Sequence, residues 1–216
     1  IMKKIFITTI GLLFIASSAI AQNFSMGVSL QGLYFDASGS ETLKESSKVT
    51  NKDETGFAPV ASIFLEGETS TGQTVGLEVV PYSAKIADGS MSNDDDAETS
   101  GTNTVDVNFK NMVSLYVENP IDTAIAGSFV RAAVSHVSLE TDETLSTGAT
   151  YGDENITGIT LGFGAKNDLP NGDGFYKVIA ELSHFGGETF TGSTGTKIEL
   201  DDFQTAAIRV SVGKNF

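Results

Sequence analysis

The sequence predicts an all-β protein, an eight-stranded antiparallel up-and-down transmembrane β-barrel. Three observations predict it. Apolar residues alternate with small or polar ones over runs longer than soluble strands last. The connections alternate between long and short, and beyond the N-terminal segment no helix-period pattern holds for three turns. Soluble strands average about 5–6 residues, whereas a tilted strand needs about 9–11 to cross a bilayer.

The chain opens as a leader. Lys3 and Lys4 precede an apolar run from Ile5 to Ala16, and Ala19-Ile20-Ala21 stands before Gln22. This is the pattern of a cleaved secretory signal peptide over residues 1–21, leaving 22–216 as one barrel domain. The run falls short of the roughly 20 residues a membrane helix needs. The chain has no cysteine, which excludes a disulfide framework and a lipidated Cys. Its formal charge of −15 becomes −17 when Lys3 and Lys4 leave (−15 − 2), which argues against a nucleic-acid partner.

Period two then places strands near Asn23–Ala37, Gly56–Glu66, Thr74–Ile86, Thr104–Val117, Thr123–Ser138, Asn155–Lys166, Gly174–Phe185 and Lys197–Phe216. The long connections are Ser38–Thr55, Ala87–Asn103, Leu139–Glu154 and Gly186–Thr196. The short ones are Gly67–Gln73, Glu118–Asp122 and Asn167–Asp173. A soluble sandwich has no reason to sort its loops by parity, whereas a membrane barrel does.

Face assignment follows from parity. The first strand sets Phe24, Met26, Val28, Leu30 and Tyr34 against Ser25, Gly27, Ser29 and Gln31. The fourth sets Val105, Val107, Phe109, Val113, Leu115 and Val117 against Asp106, Lys110, Ser114 and Tyr116. One face is greasy and the other is small or charged, so the greasy face is expected to meet lipid and the other to fill a narrow lumen. Pro59 and Pro81 do not fit a closed ladder, because neither can donate a hydrogen bond, and a local splay or bulge is expected there.

The small-residue face carries Glu78, Lys110, Arg131, Glu181 and Arg209 near mid-strand, with Lys166 and Lys177 nearer one end. Unpaired charge inside so narrow a barrel is costly, so these groups are expected to pair across the lumen as a plug; a gated ion path is the functional alternative. Asp94, Asp95 and Asp96 could associate diffusely with cations, yet they lack the ligand spacing and central Gly of a calcium loop, and no metal site or cofactor is expected.

The leader, the eight alternating strands, the loop rhythm and the aromatic end resemble small eight-stranded bacterial outer-membrane barrels, of the OmpA-barrel, OmpX, OmpW and opacity-protein type. The resemblance implies a monomer in a Gram-negative-type outer membrane, with long loops extracellular and both termini periplasmic. It also implies contact with membrane lipid and lipopolysaccharide, and an assembly signal read by the barrel-assembly machinery. Ile208, Val210, Val212 and Phe216 match that signal, while Lys214 departs from it. His136-Val137-Ser138 resembles the His-x-Ser element of lipid A 3-O-deacylases, with His136 as base and Ser138 as nucleophile, but Leu139 and Glu140 break the pattern that follows.

The expected function is therefore non-enzymatic: a structural or surface-interaction role through acidic extracellular loops, with a ligand the sequence does not identify. The alternatives are a small porin-like channel for ions or small solutes and a lipid A-modifying esterase.

Overall fold

The computed structural model describes residues 21–44, 46–82, 84–93, 101–144, 150–170, 172–193 and 195–216, and only the backbone of 21–22, 84–93, 101–107, 109 and 141–144. Residues 1–20 of the expected signal peptide, the acidic Asp94–Asp96 and the side chains of Val105, Val107 and Phe109 lie outside this description.

Eleven strands follow in order: β1 Ala21–Thr42, β2 Val49–Thr69, β3 Thr74–Val80, β4 Ala84–Asn93, β5 Gly101–Pro120, β6 Ser128–Thr144, β7 Glu154–Asp168, β8 Gly174–Phe185, β9 Glu188–Thr191, β10 Lys197–Leu200 and β11 Phe203–Asn215. Each of the ladders between them is antiparallel. β3 and β4 both pair with β5 and form one stave interrupted at residues 81–83, while the β9–β10 hairpin pairs with β1 beyond the end of β11. The wall closes where β11 pairs with β1, from Ser25 opposite Asn215 to Asp36 opposite Gln204. The result is an eight-stave up-and-down barrel.

Strands run into all four of the long connections predicted from sequence: β4 and β5 enter Ala87–Asn103, and β9 lies within Gly186–Thr196. β1 and β2 consume most of Ser38–Thr55, leaving a turn in which the Leu43 N–H donates to Lys48 O at 3.0 Å. β6 extends to Thr144, so it takes the first part of Leu139–Glu154. It starts at Ser128 rather than Thr123, because Thr123 Oγ1 bonds within its own turn and Gly127 turns the chain at φ 71°.

Burial alternates along each well-described stave, in the inverse of a soluble barrel. Leu161, Leu182 and Val28 are 66%, 69% and 60% exposed, while Glu78 and Arg131 are 1% and 5% exposed. From Phe24 to Tyr34 on β1 the outward residues form an apolar belt ten residue steps long. At about 3.4 Å per residue and a tilt of about 40°, that belt is on the order of 26 Å tall, close to what a membrane barrel must present to hydrocarbon. Tyr34 and Phe57, cross-strand partners, mark its edge far from the termini, and Phe24 and Phe216 mark the edge at the terminal end.

Candidate functional site

The terminal half of the lumen is a layered ion-pair network. Arg131, from β6, points across the axis: Nη2 meets Glu78 Oε2 at 2.6 Å and Nη1 meets Glu118 Oε1 at 2.9 Å. Its Nε lies 3.1 Å from Glu181 Oε1, an ion-pair contact without hydrogen-bond alignment. Arg209 Nε donates to Glu181 Oε2 at 2.9 Å, and its Nη1 contacts Glu78 Oε1, which also accepts from Ser62 Oγ. The Tyr116 ring lies 3.7 Å beneath the Arg131 guanidinium and its hydroxyl donates to Glu66 Oε2 at 2.7 Å.

Nearer the terminal mouth, Lys177 Nζ donates to Glu66 Oε2 and Glu118 Oε2, both at 2.6 Å. The Phe64, Tyr116, Phe129 and Phe175 rings surround this ammonium at 5.3–5.9 Å. Four buried carboxylates, Glu66, Glu78, Glu118 and Glu181, thus meet three buried cations, Arg131, Lys177 and Arg209. Lys166, 24% exposed at the mouth, reaches Glu66 at 3.9 Å and Glu68 at 3.4 Å and supplies the balancing charge. These side chains fill the axis, so the described lumen at this level has no open water column.

Beyond the network, the interior changes character. Val137, Leu139, Ile156, Phe185, Phe190 and Phe203 form a buried apolar cluster toward the far end, with the Phe185 and Phe203 rings stacked 5.0 Å apart. Phe35 and Ala58 line the lumen beyond the network from β1 and β2.

Of the charges expected in the lumen, the structure brings together Glu78, Arg131, Glu181 and Arg209. Lys110 is a correction. A β-bulge between Lys110 and Val113, with Asn111 at φ 55°, reverses the parity of β5. Lys110 therefore sits opposite outward-facing Ser138 and pairs with Glu140 at 2.6 Å on the half-exposed outer rim. The face assignment of this strand holds for Val113, Leu115 and Val117, which follow the bulge in the chain, and reverses at Lys110.

Sequence reasoning placed Tyr116 on the lumen face but missed Glu66, Glu118 and Ser62. Their signal was strand parity, for Ser62, Phe64 and Glu66 continue one face, as do Ser114, Tyr116 and Glu118, but Glu118 had been placed in a turn. His136 and Ser138 do share a face, the outward one at the rim, and the Ser138 hydroxyl donates to Asn155 Oδ1 at 2.9 Å. Among the described residues no three His, Cys, Asp or Glu side chains cluster in a way that could hold a metal.

The wall itself is interrupted. The β2–β3 ladder runs from Glu68–Thr74 to Ile63–Val79 and stops; among the described residues no ladder joins β2 to β4. Here the chain passes through Pro81, and Tyr82 Oη accepts the Ala61 N–H at 2.5 Å. Backbone donors on a strand alternate sides, so Ala61 and Pro59 direct the same edge toward this seam. Proline supplies no donor, and so leaves none unsatisfied in hydrocarbon. The two prolines that fit no closed ladder lie where β2 parts from the β3–β4 stave, and among the described residues the edge continues along β4. The outer side of the seam is a groove of about 510 Å³ between Tyr82, Ile63, Leu30 and Val210.

No protein-family model and no curated protein sequence matches the chain. Two solved structures share its architecture. OprG, an outer membrane protein from Pseudomonas aeruginosa, superposes with a TM-score of 0.54 at 12% identity, over 91% of this chain and 97% of its own. The outer membrane protein AlkL, determined in lipid bilayers, gives the same score and identity over 91% of each chain. The chain has the fold of a small outer-membrane β-barrel. At that identity the likeness is one of fold, and it accounts for the apolar belt as the surface that contacts lipid.

Proposed function

We propose that this barrel resides in the outer membrane, monomeric, with its termini periplasmic, and passes small apolar solutes sideways into the bilayer rather than ions along its axis. One observation carries the reading: the ladder opens between β2 and β4 at the level where the ion-pair network blocks the lumen. Gln31, Val60 and Arg209 are cross-strand neighbours at that level, and Val60 lies two residues along β2 from Ser62, whose hydroxyl donates to Glu78. A solute entering from the far end would meet the apolar cluster, which disfavours ions, then a charged floor, and would find its outlet in the wall.

The axial channel expected as an alternative would require the buried pairs of Arg131 and Arg209 to part without compensation, which is strongly unfavourable. The surface role expected from acidic loops depends in part on Asp94, Asp95, Asp96 and Glu98, outside the description, whereas the lateral route rests on the described break between β2 and β4. Contact with lipopolysaccharide and recognition by an assembly machinery belong to the same proposal and rest on the fold.

A cysteine pair at Ala61 and Pro81 tests the route. Ala61 and Pro81 both line the groove at the seam, and the chain has no cysteine of its own. Oxidation should abolish uptake of an apolar probe by cells carrying the barrel, and reduction should restore it. Uptake indifferent to oxidation would discard the lateral route.

A further inference from the structure

Resting on that lateral route, we infer that the Ala61 N–H, covered by the Tyr82 phenol, is the selectivity element of the seam, which favours alkyl chains bearing a hydroxyl or carbonyl oxygen over bare hydrocarbons. The Ala61 amide is the first backbone donor beyond the end of the β2–β3 ladder, and Pro59 supplies none, so between Ile63 and Phe57 it is the one backbone donor that β2 turns toward the seam. Tyr82 Oη accepts it. The groove beside it is apolar, lined by Val28, Leu30, Ile63, Pro81, Val210 and Val212, and at about 510 Å³ it falls in the size range of small-molecule sites.

Passage requires Tyr82 to move aside. A hydrocarbon chain that displaces it leaves the Ala61 N–H with no partner in a medium that offers none. A chain bearing an acceptor oxygen takes over the bond as the phenol leaves, so its passage forfeits no hydrogen bond. One net hydrogen bond corresponds to a preference of about three- to tenfold.

The test compares 1-decanol with n-decane. In the full-length barrel in micelles, decanol should shift the Ala61 amide resonance and decane should not; an identical response to both overturns the proposal without any variant having to fold. In cells, uptake attributable to the barrel should favour decanol by about three- to tenfold. Ala61→Pro, which removes the donor at an edge that already accepts proline, should bring that ratio to about one. Tyr82→Phe should raise uptake of both probes and keep their ratio. A ratio that survives Ala61→Pro overturns the proposal. If the oxidised Ala61/Pro81 cysteine pair blocks both probes while decanol and decane pass equally, the selectivity falls and the lateral route stands; if oxidation leaves both unaffected, both fall.

Discussion

Arg131 and Glu78, 53 positions apart in the chain, are joined across the lumen at 2.6 Å with both side chains almost fully buried. Neither can be removed alone without stranding charge. Arg131→Met leaves Glu78, Glu118 and Glu181 without their shared guanidinium and should lower stability by about 3–5 kcal/mol. Lys110→Met breaks a pair whose side chains are 43% and 30% exposed and should cost less than about 1 kcal/mol. Urea unfolding in micelles measures both, and equal losses would contradict the assignment of one to the lumen and the other to the rim.

Leu161 lies mid-belt on β7, opposite Leu182 of β8, and both face outward. Leu161→Arg should cost about 2–4 kcal/mol of folding stability in a bilayer, because the guanidinium would stand in hydrocarbon. Thr157→Arg, four residues along the same face and beyond the belt, should be nearly neutral. Folding yield into lipid vesicles, read as the fraction that resists SDS until boiled, separates the two.

The fold was legible because the signal that matters for a barrel is periodic and redundant. The well-described staves repeat the same alternation, interrupted on β5 by its bulge, so an error in one boundary does not disturb the rest. Phe24 to Tyr34 on β1 and Ile208 to Val212 on β11 could be assigned to faces from sequence alone, and their burial follows. The site was legible only in part. Glu78, Arg131, Glu181 and Arg209 lie mid-strand, where parity is secure. Lys110 lies beyond a bulge that no residue type announces, since Asn111 at φ 55° is one of several asparagines in the chain. The seam was half visible: prolines 59 and 81 declared a break in hydrogen bonding, but which edge opened, and that Tyr82 covers it, depends on a contact 21 positions long.

Tyr116 lies flat over Gly76 of the neighbouring stave, and no Cβ fits between them. This closeness lets one ring carry the Arg131 guanidinium on its face while its hydroxyl serves Glu66. Gly76→Ala should therefore destabilise the barrel by about 1–3 kcal/mol, through overpacking rather than through lost contacts. Tyr116→Phe, which removes the hydroxyl donated to buried Glu66, should cost about as much, and the two substitutions should be non-additive because both act on one ring. A double variant whose loss equals the sum of the two singles would show that Gly76 and Tyr116 are independent.

Phe216 is 70% exposed, and its backbone N–H donates to Phe24 O at 2.8 Å, adding a rung just past the β11–β1 ladder. Two roles for it make different predictions. If Phe216 is structural, its deletion should weaken the purified barrel as much as it lowers the amount found in the membrane. If it is the aromatic end of an assembly signal, its deletion should sharply lower outer-membrane levels in cells, while protein refolded into micelles loses only about 1 kcal/mol, the net worth of one hydrogen bond. The second outcome is expected, because the side chain is exposed at the belt edge, where the Lys214 ammonium lies 5.9 Å from its ring. Quantitative fractionation of cells, set beside urea unfolding of the same refolded variant, reads the difference; a parallel fall in both would assign Phe216 to the wall alone.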